Sequence, residues 1–204
     1  MRWMVSTGVL FLVAGVSGCN SDDGQSYDFG SNDPNIVSCI GDSMTEMGDP
    51  PWPTLVAERT GKNVLNRGYG GSRSAYGLTI VDAVLAESHP GFLVIQFGIN
   101  DSDDGRPADE IAGNLRIMVQ TAKANQSVPV VCTFPPLYGR HIIYAGHARE
   151  VNEVIRQMVK EEGAELADLE KAFGSNESLI GEDGLHPTQA GNEIIASVIS
   201  GIVN

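Results

Sequence analysis

The sequence predicts an α/β fold, a three-layer α/β/α sandwich around a five-stranded parallel sheet, and three observations carry that reading. Strand-like and helix-like stretches alternate along the chain in the order βαβαβαβαβα. The strand-like runs are almost continuously apolar, as strands covered by helices on both faces must be. The 204 residues, 42% hydrophobic and 19% charged, contain no internal repeat and suffice for one substantial core.

The first strand begins at Ile36, where a β-branched run ends abruptly in Gly41-Asp42-Ser43. Gly-Asp-Ser is turn chemistry, so a serine is presented at the carboxyl end of a strand. Taken alone, the triplet reads first as an ordinary connecting loop. A short helix follows between Pro51, near its start, and Gly61, at its stop. Val64–Asn66 is a brief second strand running into Gly68-Tyr69-Gly70-Gly71-Ser72, and Leu78, Val81 and Leu85 then repeat at helical spacing up to Pro90. Phe92–Phe97 is the most strand-like run, ending in Gly98-Ile99-Asn100-Asp101 and an acidic loop to Arg106-Pro107. Ile111, Leu115, Met118, Val119 and Ala122 mark one face of an amphipathic helix. Val128–Phe134 is the fourth strand, followed by Pro135-Pro136 and an irregular, partly apolar loop. A helix with Val151, Ile155 and Met158 inward stops at Gly163, Ala164–Asp168 is the last strand, and Pro187 opens a terminal helix through Ile195 and Ile199.

Ahead of this unit, Met1-Arg2-Trp3-Met4, an apolar run from Val5 to Val16, and Ser17-Gly18-Cys19 have the three parts of a secretory signal. The run falls short of the ~20 apolar residues a membrane span needs. Val16-Ser17-Gly18-Cys19 resembles the lipobox of bacterial lipoproteins, in which the cysteine is lipidated and becomes the mature N-terminus. The expected organisation is therefore a signal peptide at 1–18, a polar tether at 19–35 without apolar periodicity, and one folded domain at 36–204. The expected location is the bacterial cell envelope, exported and held by a lipid on Cys19. Cys39 and Cys132 each lie in an apolar strand and are expected as buried free thiols rather than a disulfide. Thirteen Lys plus Arg against 26 Asp plus Glu give a net charge of -13, which repels nucleic acid and excludes it as a partner.

In a parallel sheet, ligands bind beyond the carboxyl ends of the strands, and Ser43, the glycines from Gly68 to Gly71, and Asn100 all fall there. Near the C-terminus, Asp183 precedes His186 by three residues in a loop leading into the last helix. That spacing lets the carboxylate bind one imidazole nitrogen while the other faces outward to take a proton. Asp42 competes for the acid role, but adjacent side chains in a turn point apart, so it is expected to cap or brace the loop. Gly68–Arg73 half resembles a dinucleotide loop, yet Arg73 stands where the last Gly or Ala belongs. His141 and His147 lack metal-ligand spacing and are read as solvated loop histidines, and His89 as a helix-end residue.

Gly41-Asp42-Ser43, a glycine after the second strand, Gly98-x-Asn100-Asp101, and Asp183-x-x-His186 together resemble, in order and spacing, the four blocks of the SGNH (GDSL) hydrolase superfamily. Trp52-Pro53, Asn66, Gly77-Leu78 and Tyr138-Gly139-Arg140 are most similar to its bacterial exported thioesterase/lysophospholipase and arylesterase branch. The resemblance implies an SGNH/flavodoxin-like sheet and a serine esterase acting on small or lipid-derived esters and thioesters. It implies Ser43 as nucleophile, His186 as base and Asp183 as its orienting acid. The oxyanion hole would be the Ser43 and Gly71 N–H groups and the Asn100 amide, because a neutral serine needs a base and the tetrahedral intermediate needs donors. One departure is Gly70-Gly71 where the family commonly has Ser-Gly. No metal or organic cofactor is needed, and a monomer with a small-molecule ester substrate is expected. A carbohydrate O-acetylesterase and a non-catalytic binding lipoprotein are the alternatives. Leu137, Tyr138, Ile142 and Ile143 are expected to hold the acyl or aryl group. The acids Asp101, Asp103 and Asp104 are expected to form a rim unfavourable to anionic leaving groups.

Overall fold

The computed structural model describes residues 27–204, so the expected signal segment, Cys19 and the tether up to residue 26 lie outside the described residues. Strands β1 (Asp33–Gly41), β2 (Asn63–Gly68), β3 (Pro90–Gln96), β4 (Val128–Cys132) and β5 (Glu165–Ala167) form one sheet in the order β2-β1-β3-β4-β5. Every pairing is parallel, as the apolar runs predict. The chain moves outward from β1 to β2 and then back across β1 to β3, which makes the carboxyl end of β1 a topological switch point. Gly41 pairs with Gly68 on one side and with Gln96 on the other, so β1, β2 and β3 end level. Their loops therefore open onto one edge.

Side chains alternate across the pleat and build two cores. Ile40, Leu93, Ile95 and Val131 pack against helices α3 (Ser74–Ser88), α5 (Ala108–Ala124) and α6 (Ala145–Glu162). Val37, Cys39, Val94 and Cys132 face the other way, onto α2 (Trp52–Thr60) and α8 (Gln189–Val203), where Trp52, Ile195 and Ile199 are fully buried. Cys39 and Cys132 are free and buried, as expected. They sit on β1 and β4 with β3 between, about two strand spacings or ~10 Å apart, beyond the reach of a disulfide.

Three short helices escape hydrophobic periodicity because four or five residues span little more than one turn: α1 (Ser43–Glu46), α4 (Ile99–Asp103) and α7 (Leu169–Phe173). The irregular loop after β4 contains a 3-10 helix, Gly139–Tyr144. Residues 27–35, read as the end of the polar tether, are instead docked. The Tyr27 and Phe29 rings lie 5.5 and 5.2 Å from Phe92, and β1 already begins at Asp33. Two aromatic residues in an otherwise polar segment supply enough apolar area to hold it. Among the described residues, no helix is long and apolar enough to cross a membrane.

Candidate active site

Ser43 is the first residue of α1, immediately beyond β1. Asp42 caps that helix by accepting a hydrogen bond from the Met44 N–H at 3.0 Å. It is buried, and burial pushes its carboxyl up to about 7; the neighbouring Asp101 charge adds to the rise and the Met44 amide opposes it. Asp42 thus braces the turn. Gly41 is required by close packing, since a Cβ there would stand 2.0 Å from Thr45 Oγ1 and 2.8 Å from the Gln96 carbonyl oxygen. Thr45 Oγ1 and the Trp52 indole N–H both donate to Gln96 Oε1, at 2.7 and 3.0 Å in the buried interior. This network clamps α1 to the end of β3 and so fixes where Ser43 points.

From the far end of the chain, the loop before α8 delivers His186. Its Nε2 lies 2.8 Å from Ser43 Oγ, across 143 residues of sequence, and its Nδ1 lies 2.6 Å from Asp183 Oδ2. Asp183 Oδ1 also accepts the Leu185 and His186 N–H groups, both at 3.0 Å, which folds the loop around the carboxylate. An isolated pairing of Ile180 with Pro187 and the Gly181 N–H to His186 carbonyl bond (2.8 Å) close the loop's base. Burial alone would raise the Asp183 carboxyl, but the hydrogen bonds from the His186 ring and the two amides outweigh it and hold the group at about 2. At neutral pH the carboxylate is charged, so the ring proton belongs on Nδ1 and Nε2 is left to accept from Ser43.

The loop after β2 comes to the same edge. Gly71 has φ +72°, a conformation that glycine adopts at little cost. The Tyr69 N–H donates to the Gly41 carbonyl (2.9 Å), and the Ser72 N–H to the Tyr69 carbonyl (3.1 Å). Asn100, at the start of α4, donates one hydrogen of its amide to the Ser72 carbonyl at 2.9 Å and keeps a second. Asn66 reaches from β2 to the Thr45 carbonyl (3.0 Å) and accepts the Gly68 N–H (2.9 Å). The structure therefore gathers Ser43, Gly71, Asn100, Asp183 and His186 at one edge. Sequence reasoning missed Ser72 as the clamp on Asn100, because a backbone carbonyl carries no residue signature.

Several expectations about the rim need correction. Asp101 is not a rim acid: it is buried and accepts the Ser74 N–H (2.8 Å) and hydroxyl (2.7 Å) at the start of α3. Asp104 pairs with Arg73, and Asp103 lies 3.2 Å from His141, so these carboxylates are partnered. His141 is consequently not a solvated histidine. His147 stands in the first turn of α6, with Nε2 2.7 Å from the Arg106 carbonyl. His89 does end a helix, as the left-handed cap of α3.

Of the four residues expected to hold the acyl or aryl group, Leu137 is 3% exposed and belongs to the same core cluster as Met44 and Leu185, so its side chain is spent on packing. An apolar side chain within reach of the core is drawn inward by the hydrophobic gain. Ile142 and Ile143 are 54% and 75% exposed on the 3-10 helix, and they do not pack on the core. Tyr138 is half-buried, and its N–H donates to the Gly184 carbonyl at 2.9 Å, tying this loop to the one carrying Asp183 and His186. Leu137, Tyr138 and Ile142 also line a concavity of about 260 Å³ with Pro136, Ala148 and Arg149.

The sequence profile of the GDSL-like lipase/acylhydrolase family matches residues 39–194. The esterase TesA of Pseudomonas aeruginosa is 30% identical over 146 residues, covering 68% of this chain and 71% of that protein. The protein named thioesterase 1/protease 1/lysophospholipase L1 from Escherichia coli strain K12 is 25% identical over 167 residues, 77% of each chain. Among solved structures, the lipase/acylhydrolase from Enterococcus faecalis superposes with a TM-score of 0.74 at 22% identity, covering 82% of this chain and 94% of that one. That likeness concerns the fold.

Proposed function

Because this chain belongs to the GDSL-like lipase/acylhydrolase family, we propose that it hydrolyses carboxylic esters and thioesters through an acyl-serine intermediate built on Ser43. The observation that carries the proposal is the relay of 2.8 and 2.6 Å contacts from Ser43 through His186 to Asp183. As Ser43 Oγ attacks the carbonyl carbon, its proton passes to His186 Nε2, and Asp183 steadies the imidazolium that forms. The charge developing on the carbonyl oxygen is met by the Ser43 and Gly71 N–H groups and the free Asn100 amide hydrogen. Collapse expels the alcohol or thiol, which takes the proton from His186. Water then attacks the acyl-serine by the same path, regenerating Ser43 and releasing the acid.

Substrate choice is assigned to the exposed surface of the 3-10 helix. If Ile142 and Ile143 shield an acyl chain, each covered methylene adds up to about 0.8 kcal/mol to transition-state binding until the surface is filled. On p-nitrophenyl acetate through octanoate, kcat/KM should rise with chain length, and Ile142→Ser with Ile143→Ser should flatten that rise. Both side chains are exposed, so thermal stability should barely change. A profile that keeps its slope in the double variant removes these residues from the substrate site. Higher activity on acetylated sugars than on any acyl ester would favour carbohydrate deacetylation instead.

The domain is assigned to the cell envelope, held by a lipid on Cys19 through the polar stretch that follows it. The motif Val16-Ser17-Gly18-Cys19 supports this, and the net charge of -13 opposes direct adsorption to anionic membranes. Cys19→Ser should move the protein from the membrane to the soluble fraction on cell fractionation. A serine variant that stays membrane-bound would count against the lipid anchor.

A further inference from the structure

Glu46 closes α1 three residues after Ser43, and its carboxylate crosses to the loop after β2. There Oε2 accepts the Gly70 N–H at 2.7 Å. We propose that Glu46 is a positioning residue that holds the Gly70-Gly71 backbone so that the Gly71 N–H is aimed at the oxyanion. The inference rests on the reading of Gly71 as an oxyanion donor.

The physical need for such a brace comes from the sequence of the loop. Two consecutive glycines have the widest backbone freedom of any pair and the largest entropy to lose on being fixed. The loop is pinned upstream by the Tyr69 N–H on the Gly41 carbonyl and downstream by Ser72, which is held by Asn100. Between those pins, the Gly70 N–H lies in the peptide unit directly before the one that carries the Gly71 N–H, and its bond to Glu46 anchors the loop at that point. A side chain at position 70, where the resemblance leads one to expect serine, would compete with this contact. A Cβ on Gly70 would stand 2.7 Å from Glu46 Oε2 and 3.9 Å from the Ser43 Cβ. Glu46 and Gly70 are thus fitted to each other, and the carboxylate fills the space a side chain at 70 would take. The negative charge itself repels a developing oxyanion, so Glu46 acts through the backbone it holds, as a hydrogen-bond acceptor, and a neutral acceptor of the same shape should serve as well.

The test compares kcat, KM and melting temperature for Glu46→Ala, Glu46→Gln, Gly70→Ser and the double variant Glu46→Ala/Gly70→Ser on p-nitrophenyl butyrate, with Asn100→Ala alongside. Glu46→Ala should lose roughly 10- to 100-fold in kcat, the scale of a small misplacement of a reacting group. Its KM should stay within about twofold, since substrate binding is not what it removes. Glu46→Gln should keep at least about half of wild-type kcat, because its side-chain carbonyl still accepts the Gly70 N–H. Gly70→Ser should be impaired, and the double variant should be more active than Gly70→Ser, since removing the carboxylate makes room for the new side chain. If Asn100→Ala is impaired but Glu46→Ala is not, the positioning role is wrong and the oxyanion reading stands. If neither is impaired, the oxyanion reading itself fails and takes this inference with it. Equal losses of activity and melting temperature in Glu46→Ala and Glu46→Gln would reduce Glu46 to a structural residue.

Discussion

Ser43→Ala is expected to leave a folded protein with no measurable ester turnover, a loss of roughly 10⁶-fold in kcat if the Ser, His and Asp act as one unit. The substitution removes one oxygen atom, whose side-chain hydrogen bond is to His186 Nε2. The helix that carries it keeps its Asp42 cap and the Met47 N–H to Ser43 carbonyl bond, both of which are independent of the hydroxyl. The melting temperature should therefore hold while chemistry stops. His186→Ala should be about as severe, and combining the two should cost little more, because either change alone already prevents proton transfer from the nucleophile. A fluorophosphonate probe should label the wild-type chain and not Ser43→Ala. Continued labelling and turnover by that variant would place the nucleophile elsewhere.

Asn100→Ala should lower kcat by about 10²- to 10³-fold, or ~2.7–4 kcal/mol, the scale for deleting one oxyanion donor in a site shielded from water. The effect should fall on kcat, since the donor is needed when the carbonyl oxygen becomes charged and contributes little to the neutral ester. The structure adds a second reason to expect a large loss: Asn100 also holds the Ser72 carbonyl, so its removal slackens the loop that carries Gly71. Raised KM with unchanged kcat would make Asn100 a substrate-binding residue. Tm measured on the same variant separates a local loosening from a general loss of fold.

The parallel sheet was legible because its strands announce themselves locally: runs such as Phe92–Phe97 are apolar on both faces, and glycine and proline punctuate the ends. Boundaries were less so. α1, α4 and α7 are too short to show a period, and Tyr27 and Phe29 look like scattered aromatics until Phe92 is seen beneath them. The rim around the site was read least well. Asp101, Asp103 and Asp104 form an acidic cluster in sequence, yet one caps α3, one meets His141 and one meets Arg73, partners drawn from two other segments. Leu137 and Ile142 are both apolar members of one loop, and only the packing shows that the first is buried and the second exposed.

What the sequence determined by itself was the order of the elements and the residue types stationed at the strand ends, because periodicity and turn chemistry depend on neighbours within a few positions. Gly41-Asp42-Ser43 and Asp183-x-x-His186 belong to that class: each is a local signal at the end of an element. Tertiary structure alone decided which atoms meet. That His186 Nε2 comes to 2.8 Å from Ser43 depends on the level ends of β1, β2 and β3 and on the loop folded around Asp183. That Glu46 reaches Gly70, 24 residues further along the chain, depends on α1 and β2 lying side by side. Such contacts are set by the register of parallel strands and the packing of helices on them, long-range geometry that no short stretch of sequence encodes.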